Sequence, residues 1–444
     1  MAGLVFPKGV VHFAPSRKED PLMHVLDEFK WRGLVNQSSS WEALQTQFAS
    51  PGQTVYCGFD PTADSLHIGS LVPLLALRRF QLAGHRPIAL VGGATGLIGD
   101  PSFKANERSL NEADVVAGWV GSLRDQMSRF IDLDGGAGLL VNNLDWTREL
   151  DVIAFLRDVG KHFSVNEMIR KESVRSRIDR EGAGISFTEF SYMLLQSYDY
   201  VALAERYDCA LQLGGSDQWG NITAGMDLTR RMLGRSVHAL TLPLVTRSDG
   251  GKFGKTESGT IWLDGKKTSP YSFYQFWINC ADADAPTYLR YFTFLEEGAI
   301  EACLAESAAD PSKRLAQQCL AREVTTLVHG AEGCAAAERI TTALFSGSIE
   351  ALGGNDLSQL ALDGMPATTF TESGVMMGRV LTELGLASSN SQAMQLIKSG
   401  AVFVNGVAVA DARATLSTFP CFVPGHFLLR RGKRQWALAR LEGP

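Results

Sequence analysis

Four stretches of the chain carry side chains that could do chemistry. Lys252-Phe253-Gly254-Lys255-Thr256 puts two ammonium groups and a hydroxyl on a glycine-bearing loop, a set suited to polyphosphate. His67 falls in the first turn of an apolar-periodic helix that follows a strand and the Asp60-Pro61 turn. A helix start carries unpaired N–H groups and the positive end of the dipole, so it attracts phosphate. Gly69, without a side chain, would let a flat base lie against the backbone there. Asp100 ends a run rich in glycine, Gly92 to Pro101, that follows a short buried strand. Tyr192, Gln196 and Asp199 stand at i, i+4 and i+7 of one helix and share its face. They form either a satisfied internal polar network or a pocket for a small molecule bearing ammonium and hydroxyl groups. For His67 the plainer alternative is a cap on a core helix.

These groups need a rigid frame, and the pattern of elements supplies one. Thr54–Phe59 reads as a strand, broken at Asp60-Pro61 because the residue before proline avoids the helical region, with a helix from about Leu66 to Leu82. Further strands are expected over Ile88–Val91, Leu139–Asn142, Ala210–Leu213 and Leu240–Val245. Helices are expected over Leu22–Phe48 with a break at Gly33, then Asn111–Ile131, Leu150–Val159, Thr188–Tyr207 and Ile222–Leu233. Such alternation specifies a Rossmann-like, doubly wound parallel sheet in an α/β chain. In open sheets of that kind, ligands sit at the carboxyl ends of the strands. From Pro270 to Phe345 the pattern is helical. Gly353–Thr368 reads as a linker. Gly374–Pro444 has its own small α+β core, with helices at Arg379–Leu384 and Ser391–Ser399 and a hairpin signal at Asn405-Gly406. The expected domains are an N-terminal extension (1–20), a catalytic domain (21–250, with an insertion at about 145–190), a lysine loop with a helical domain (251–352), a linker (353–370) and a small domain (371–444).

Several classes are excluded. Gly254-Lys255-Thr256 ends like a P-loop, but the first glycine that motif requires falls on Asp249. G-x-G-x-x-G fails across Gly92–Gly99, and no G-x-S-x-G elbow occurs. The seven cysteines are scattered without a C-x-x-C pair, which argues for reduced thiols in a cytoplasmic setting and against zinc. No apolar run reaches membrane-spanning length, and Met1–Asp20 lacks the apolar core of a secretory signal. Net charge is -6, yet from Thr371 onward eight Lys/Arg face four acids. That asymmetry hints at a polyanion-binding module, either through Arg430-Arg431-Gly432-Lys433-Arg434 or with that run as a solvated basic turn.

Pro61–Ser70 resembles the HIGH signature of class I aminoacyl-tRNA synthetases, and Lys252–Thr256 resembles their KMSKS loop. Together with Tyr56–Thr62, Gly92–Pro101, Ser191–Asp199 and Gly214–Asn221, they resemble the bacterial-type tyrosyl-tRNA synthetases from about Val25 to the C-terminus. The resemblance implies tyrosine activation by ATP, with Mg2+ accompanying the nucleotide and no tightly bound cofactor, followed by transfer to tRNA(Tyr). It also implies a homodimer. By similarity Thr62, His67, Lys252, Lys255 and Thr256 serve phosphoryl transfer. Asp60, His67, Gly69, Ser70, Asp217 and Lys255 serve ATP. Asp100, Tyr192, Gln196 and Gln218 hold the tyrosine backbone end, with Tyr56 and Asp199 on its phenol. Ser70 departs from the pattern, standing where the signature's final His is expected. The C-terminal segment resembles a small RNA-binding domain, with Arg430, Arg431, Lys433 and Arg434 as phosphate contacts. Two alternatives stay open: a tryptophan–tRNA ligase on the same sheet, and an RNA-binding protein with a degenerate catalytic domain.

Overall fold

The structure is a computed structural model describing residues 24–101, 112–171, 174–175, 178–179, 184–256, 259–346, 349–372, 374–411, 413–432 and 435–442. The chain divides into two compact units. One runs to Leu263 and takes back Ala281–Ala309; the other comprises Asp264–Cys280 and Asp310–Pro444.

The first unit is built on strands β1 (Gln37–Ser38), β2 (Thr54–Phe59), β3 (Arg86–Val91), β4 (Leu139–Asn142), β5 (Cys209–Gly215) and β6 (His238–Leu242). Their order in the sheet is β1-β6-β5-β2-β3-β4. All neighbours run parallel except β1, which pairs antiparallel with β6. The parallel strands therefore carry the doubly wound order, with the reversal between β2 and β5. β3 is buried from Pro87 through Val91, as expected where helices cover both faces. The helix Leu71–Leu82 covers one of them, burying Leu74, Leu75, Leu77 and Phe80. Each such side chain stabilises by roughly 1.5–3 kcal/mol.

The helical reading of Leu22–Phe48 is corrected. Helix Val25–Arg32 ends at Gly33, whose φ of 74° suits only a left-handed cap. Strand β1 follows, and a second helix, Trp41–Gln47, starts where Ser40 accepts the Ala43 N–H. Leu240–Val245 is also corrected: the strand stops at Leu242, because Pro243 cannot continue the ladder. Leu150–Val159 is not one α-helix but a short turn, Val152–Ala154, widened into a π-turn over Phe155–Val159.

The Ala281–Ala309 segment belongs to the first unit rather than to a helical domain starting at 251. The reason is a buried cationic clamp. Arg32 donates to the carbonyls of Arg290, Thr293 and Leu295, and Arg79 donates to those of Tyr291 and Thr293. Glu28 accepts from both guanidinium groups. Burial lowers the Arg79 pKa to about 9.

In the second unit, a five-stranded sheet has the order β11-β10-β12-β13-β9, from β9 (Ala367–Phe370), β10 (Val402–Val404), β11 (Val407–Ala408), β12 (His426–Arg431) and β13 (Gln435–Leu441). A separate two-residue pair in the first unit, β7 (Lys255–Thr256) with β8 (Gly259–Thr260), precedes them in the chain. Asn405 and Gly406 both have positive φ, 46° and 83°, the geometry of the tight hairpin their sequence signals. The linker reading of Gly353–Thr368 is overturned. Asp356 accepts the Gly353 N–H and starts helix Gly354–Leu362. Leu357 and Leu360 are buried on it, and β9 adds to the sheet alongside β13. Loop-forming residues at both ends masked a short amphipathic helix.

Candidate active site

At the carboxyl ends of β2 and β5, where the strand order reverses, lies a cleft of about 430 Å³. Tyr56, Asp60, Thr62, His67, Gly69, Ser70, Asp100, Tyr192, Gln196, Asp199, Asp217 and Gln218 all line it. Phe253 of the lysine loop lines the same cleft, but Lys252 and Lys255 are exposed outside its lining. The Thr256 backbone pairs with Gly259, and its side chain lies outside the described residues. Arg430 and Arg431 stand on β12 of the second unit; Lys433 and Arg434 lie outside the described residues.

The floor of the cleft is polar and buried. Tyr56 is 1% exposed on β2, its hydroxyl has no hydrogen-bond partner among the described residues, and its ring packs edge-on to Tyr200 at 5.2 Å. Burial, with the Asp199 charge adding to it, raises the Tyr56 pKa well above the ordinary phenol value. Asp199 is itself buried. It accepts from Asn143 Nδ2 at 3.0 Å and from Trp146 Nε1 at 2.8 Å. Desolvation lifts its pKa to about 7, against the pull of those two donors. Asn143 also donates to Thr95 Oγ1. Thr95 donates to Asp60 Oδ1 at 2.6 Å, and Tyr192 donates to Asp60 Oδ2 at 2.7 Å. One hydrogen-bonded chain thus runs from the floor to the loop after β2.

A second network frames the wall. Gln218 Nε2 donates to Asp100 Oδ2 at 2.7 Å and to Asp217 Oδ2 at 3.2 Å. Its Oε1 accepts from Asn221 at 3.1 Å and, at a long 3.4 Å, from Gln196. The Gln196 Oε1 is buried without a partner among the described residues. The helix-face triad is therefore both things its pattern allowed: internally bonded, and open to the cleft.

At the mouth, His67 precedes a 3₁₀ turn, Ile68–Ser70, that leads into helix Leu71–Leu82. Its Nδ1 accepts from the Gly69 N–H at 3.0 Å, so it does cap, while its ring remains exposed and lines the cleft. A Cβ on Gly69 would sit 2.8 Å from His67 Cε1; Gly69 is small because the imidazole folds over it.

Four lining or supporting residues escaped the sequence reading. Asn143 and Trp146 hold Asp199. Gln126 Oε1 accepts from Ser65 Oγ and Leu66 N, fixing the segment before His67. Gln212, opposite Tyr56 on β5, is 2% exposed, and its Oε1 has no partner among the described residues. For two of them a signal existed: Asn143 directly follows the strand Leu139–Asn142, and Gln212 is a polar residue inside an otherwise apolar strand.

A doubly wound sheet with a carboxylate-lined cleft at its reversal, a histidine at the mouth and Phe253 of the lysine loop in its lining has the frame of a class I aminoacyl-tRNA synthetase. Residues 51–346 match the family described as tRNA synthetases class I (W and Y), and residues 356–439 match the tyrosine--tRNA ligase SYY-like C-terminal domain. The chain belongs to the tyrosine--tRNA ligase family. It is 58% identical over 416 residues to a tyrosine--tRNA ligase of Aliivibrio fischeri, covering 93% of this chain and 98% of that one. It is 54% identical over 428 residues to that of Neisseria meningitidis, covering 94% and 99%. Among solved structures, a C-terminally truncated Aspergillus nidulans mitochondrial tyrosyl-tRNA synthetase superposes with a TM-score of 0.65 at 29% identity, covering 72% of this chain and 94% of that one. The Archaeoglobus fulgidus enzyme, at 15% identity and a TM-score of 0.53, shares the fold.

Proposed function

We propose that this cleft condenses tyrosine with ATP to tyrosyl-adenylate and pyrophosphate, and that the chain then transfers tyrosine to the 3′ end of tRNA(Tyr). The observation that carries the reading is the Tyr56 hydroxyl. It is buried, without a partner among the described residues, and close to Asp199 at the floor of the cleft, so a ligand that brings a hydroxyl there satisfies it. An indole offers no such oxygen, which argues against tryptophan. Phenylalanine would leave the Tyr56 hydroxyl buried and unsatisfied, while Asp199 would keep only Asn143 and Trp146. The magnitude usually given for such rejection, about 10⁵-fold, comes from enzymes of this family and does not follow from this structure.

The tyrosine ammonium meets Asp100, Tyr192, Gln196 and Gln218 on the wall. Its carboxylate attacks the α-phosphorus in line; a C–O–P bond forms, the Pα–O–Pβ bond breaks, and pyrophosphate leaves with the electron pair. The nucleophile is already ionised, so no general base is required. The work is positioning and charge stabilisation. Thr62, His67, Lys252, Lys255 and Thr256 meet the phosphates, while Asp60, Gly69, Ser70 and Asp217 lie on the nucleoside side. Ser70 can donate a hydrogen bond where a second imidazole would add charge. Magnesium arrives with ATP, keeping phosphate and water ligands.

The exposed apolar residues Val152, Ile153, Leu156, Val165 and Phe187, the last 77% exposed, support a homodimer interface in this part of the first unit. Arg430 and Arg431 serve tRNA phosphates from the second unit. No helix among the described residues is long and apolar enough to cross a membrane, and the enzyme works in the cytoplasm. The activity is tested by incubating the full chain with tyrosine, ATP and tRNA(Tyr) and resolving charged from uncharged tRNA. Tyrosine-dependent charging is expected; none, with tRNA intact and protein folded, overturns the assignment.

A further inference from the structure

The two lysines of the Lys252–Thr256 loop are exposed, yet the backbone between them is held from both sides. On one side the Phe253 ring stacks on Phe292, with centroids 5.4 Å apart and planes 17° apart, and meets Tyr288 edge-on at 5.3 Å. The helix Ala285–Phe292 that carries those rings also grips the start of the loop. Tyr288 donates to the Thr246 carbonyl at 3.2 Å, and Asp284 Oδ1 accepts the Ser248 N–H at 2.9 Å. Just beyond that helix, the backbone carbonyls clamped by Arg32 and Arg79 give it a fixed backing. On the other side Gly254 has φ +75°, and a Cβ there would lie 2.5 Å from Ile68 Cγ2. Ile261 N donates to the Gly254 carbonyl at 3.0 Å, and Ile68 N donates to the Ile261 carbonyl at 2.9 Å. The loop is therefore registered against the residue that follows His67.

We propose that Phe253 is a positioning residue for the adenylate-forming step. Its ring, seated on Tyr288 and Phe292, sets where Lys252 and Lys255 stand over the triphosphate. The proposal rests on the tyrosine–ATP reading of the cleft. Long cationic side chains gain catalytic value only when their stems start from a fixed place, and a shift of about 1 Å in such a group can lower a rate about 100-fold. An exposed lysine that wanders stabilises the ground state and the transition state alike, which leaves kcat unimproved.

The test compares Phe253→Ala, Phe253→Tyr, Phe292→Leu and the Phe253→Ala/Phe292→Leu double variant in the full chain. Tyrosine-dependent exchange of pyrophosphate into ATP gives kcat and KM, and equilibrium dialysis gives tyrosine affinity. Phe253→Ala is expected to lower kcat about 10- to 100-fold, with tyrosine Kd changed less than about 2-fold. Phe253→Tyr keeps the ring and is expected within about 3-fold of the parent. The double variant is expected to fall short of the product of the single effects, since both act through one contact. Retained tyrosine binding shows in the same experiment that each variant is folded. A kcat for Phe253→Ala near the parent's would overturn the proposal, as would a tyrosine Kd rising in step with the loss, failure of Phe253→Tyr to rescue, or fully multiplicative effects. Absence of exchange in the unaltered chain would overturn the reading of the cleft, and this proposal with it.

Discussion

The Tyr192 hydroxyl donates to Asp60 Oδ2 at 2.7 Å, joining the helix Phe187–Tyr207 to the loop that leaves β2. Asp60 also takes the Thr95 hydroxyl at 2.6 Å. Two sides of the cleft thus share a carboxylate. Tyr192→Phe removes that donor from a half-buried carboxylate that keeps the Thr95 hydroxyl. It is expected to destabilise the fold by about 0.5–1.5 kcal/mol and to raise KM for tyrosine. Urea unfolding and exchange kinetics check both; an unchanged KM would remove Tyr192 from the tyrosine contacts.

Asp199 should make stability depend on pH. Its pKa rises on folding from the ordinary 3.8 to about 7, so the folded state holds its proton more tightly than the unfolded chain does. The contribution is full below about pH 4 and is lost as pH rises through about 7. Asp199→Asn should flatten that part of the profile, the difference between the two proteins changing by up to about 1.4 kcal/mol per pH unit. Denaturant unfolding from pH 5 to 8 measures it. Parallel profiles would show that Asp199 titrates normally.

Tyr56→Phe should separate stability from specificity. The hydroxyl it deletes is buried without a partner among the described residues, so unfolding free energy should stay level or rise by about 1 kcal/mol. The preference for tyrosine over phenylalanine in exchange should fall at least about 10-fold. A loss of stability with discrimination intact would mean that Tyr56 serves the core and not the ligand.

Arg79→Met probes the clamp. Arg79 is 1% exposed and bonded to Glu28 and to the carbonyls of Tyr291 and Thr293. Breaking a buried charged network of this kind costs roughly 3–5 kcal/mol, read as a fall in melting temperature. A variant as stable as the parent would show that the Ala281–Ala309 segment is held by other contacts.

Much of the frame was legible because parallel strands announce themselves. Thr54–Phe59 and Leu139–Asn142 form strands over the same residues that alternation and apolar runs indicated, and the Tyr192 helix starts one residue before its expected Thr188. The helix residues that line the cleft were legible too, since polar groups on an otherwise apolar helix stripe stand out. What the sequence hid is long-range. Nothing near Asn143 or Trp146 says that their partner is Asp199, 53 to 56 positions away. Nothing in Arg32 or Arg79 says that they hold carbonyls more than 200 residues downstream. Short-range punctuation also misled: the glycines, aspartates and proline of Gly353–Thr368 read as a linker because each breaks structure alone, although Asp356 caps a helix.

The most direct measurement is pyrophosphate exchange into ATP by the purified full chain, run side by side with tyrosine, tryptophan and phenylalanine. Exchange with tyrosine, and only traces with the other two at equal concentration, is the expected result. Exchange driven by tryptophan or equally by phenylalanine, or by none of the three, would contradict a cleft built around the hydroxyls of Tyr56 and its ligand.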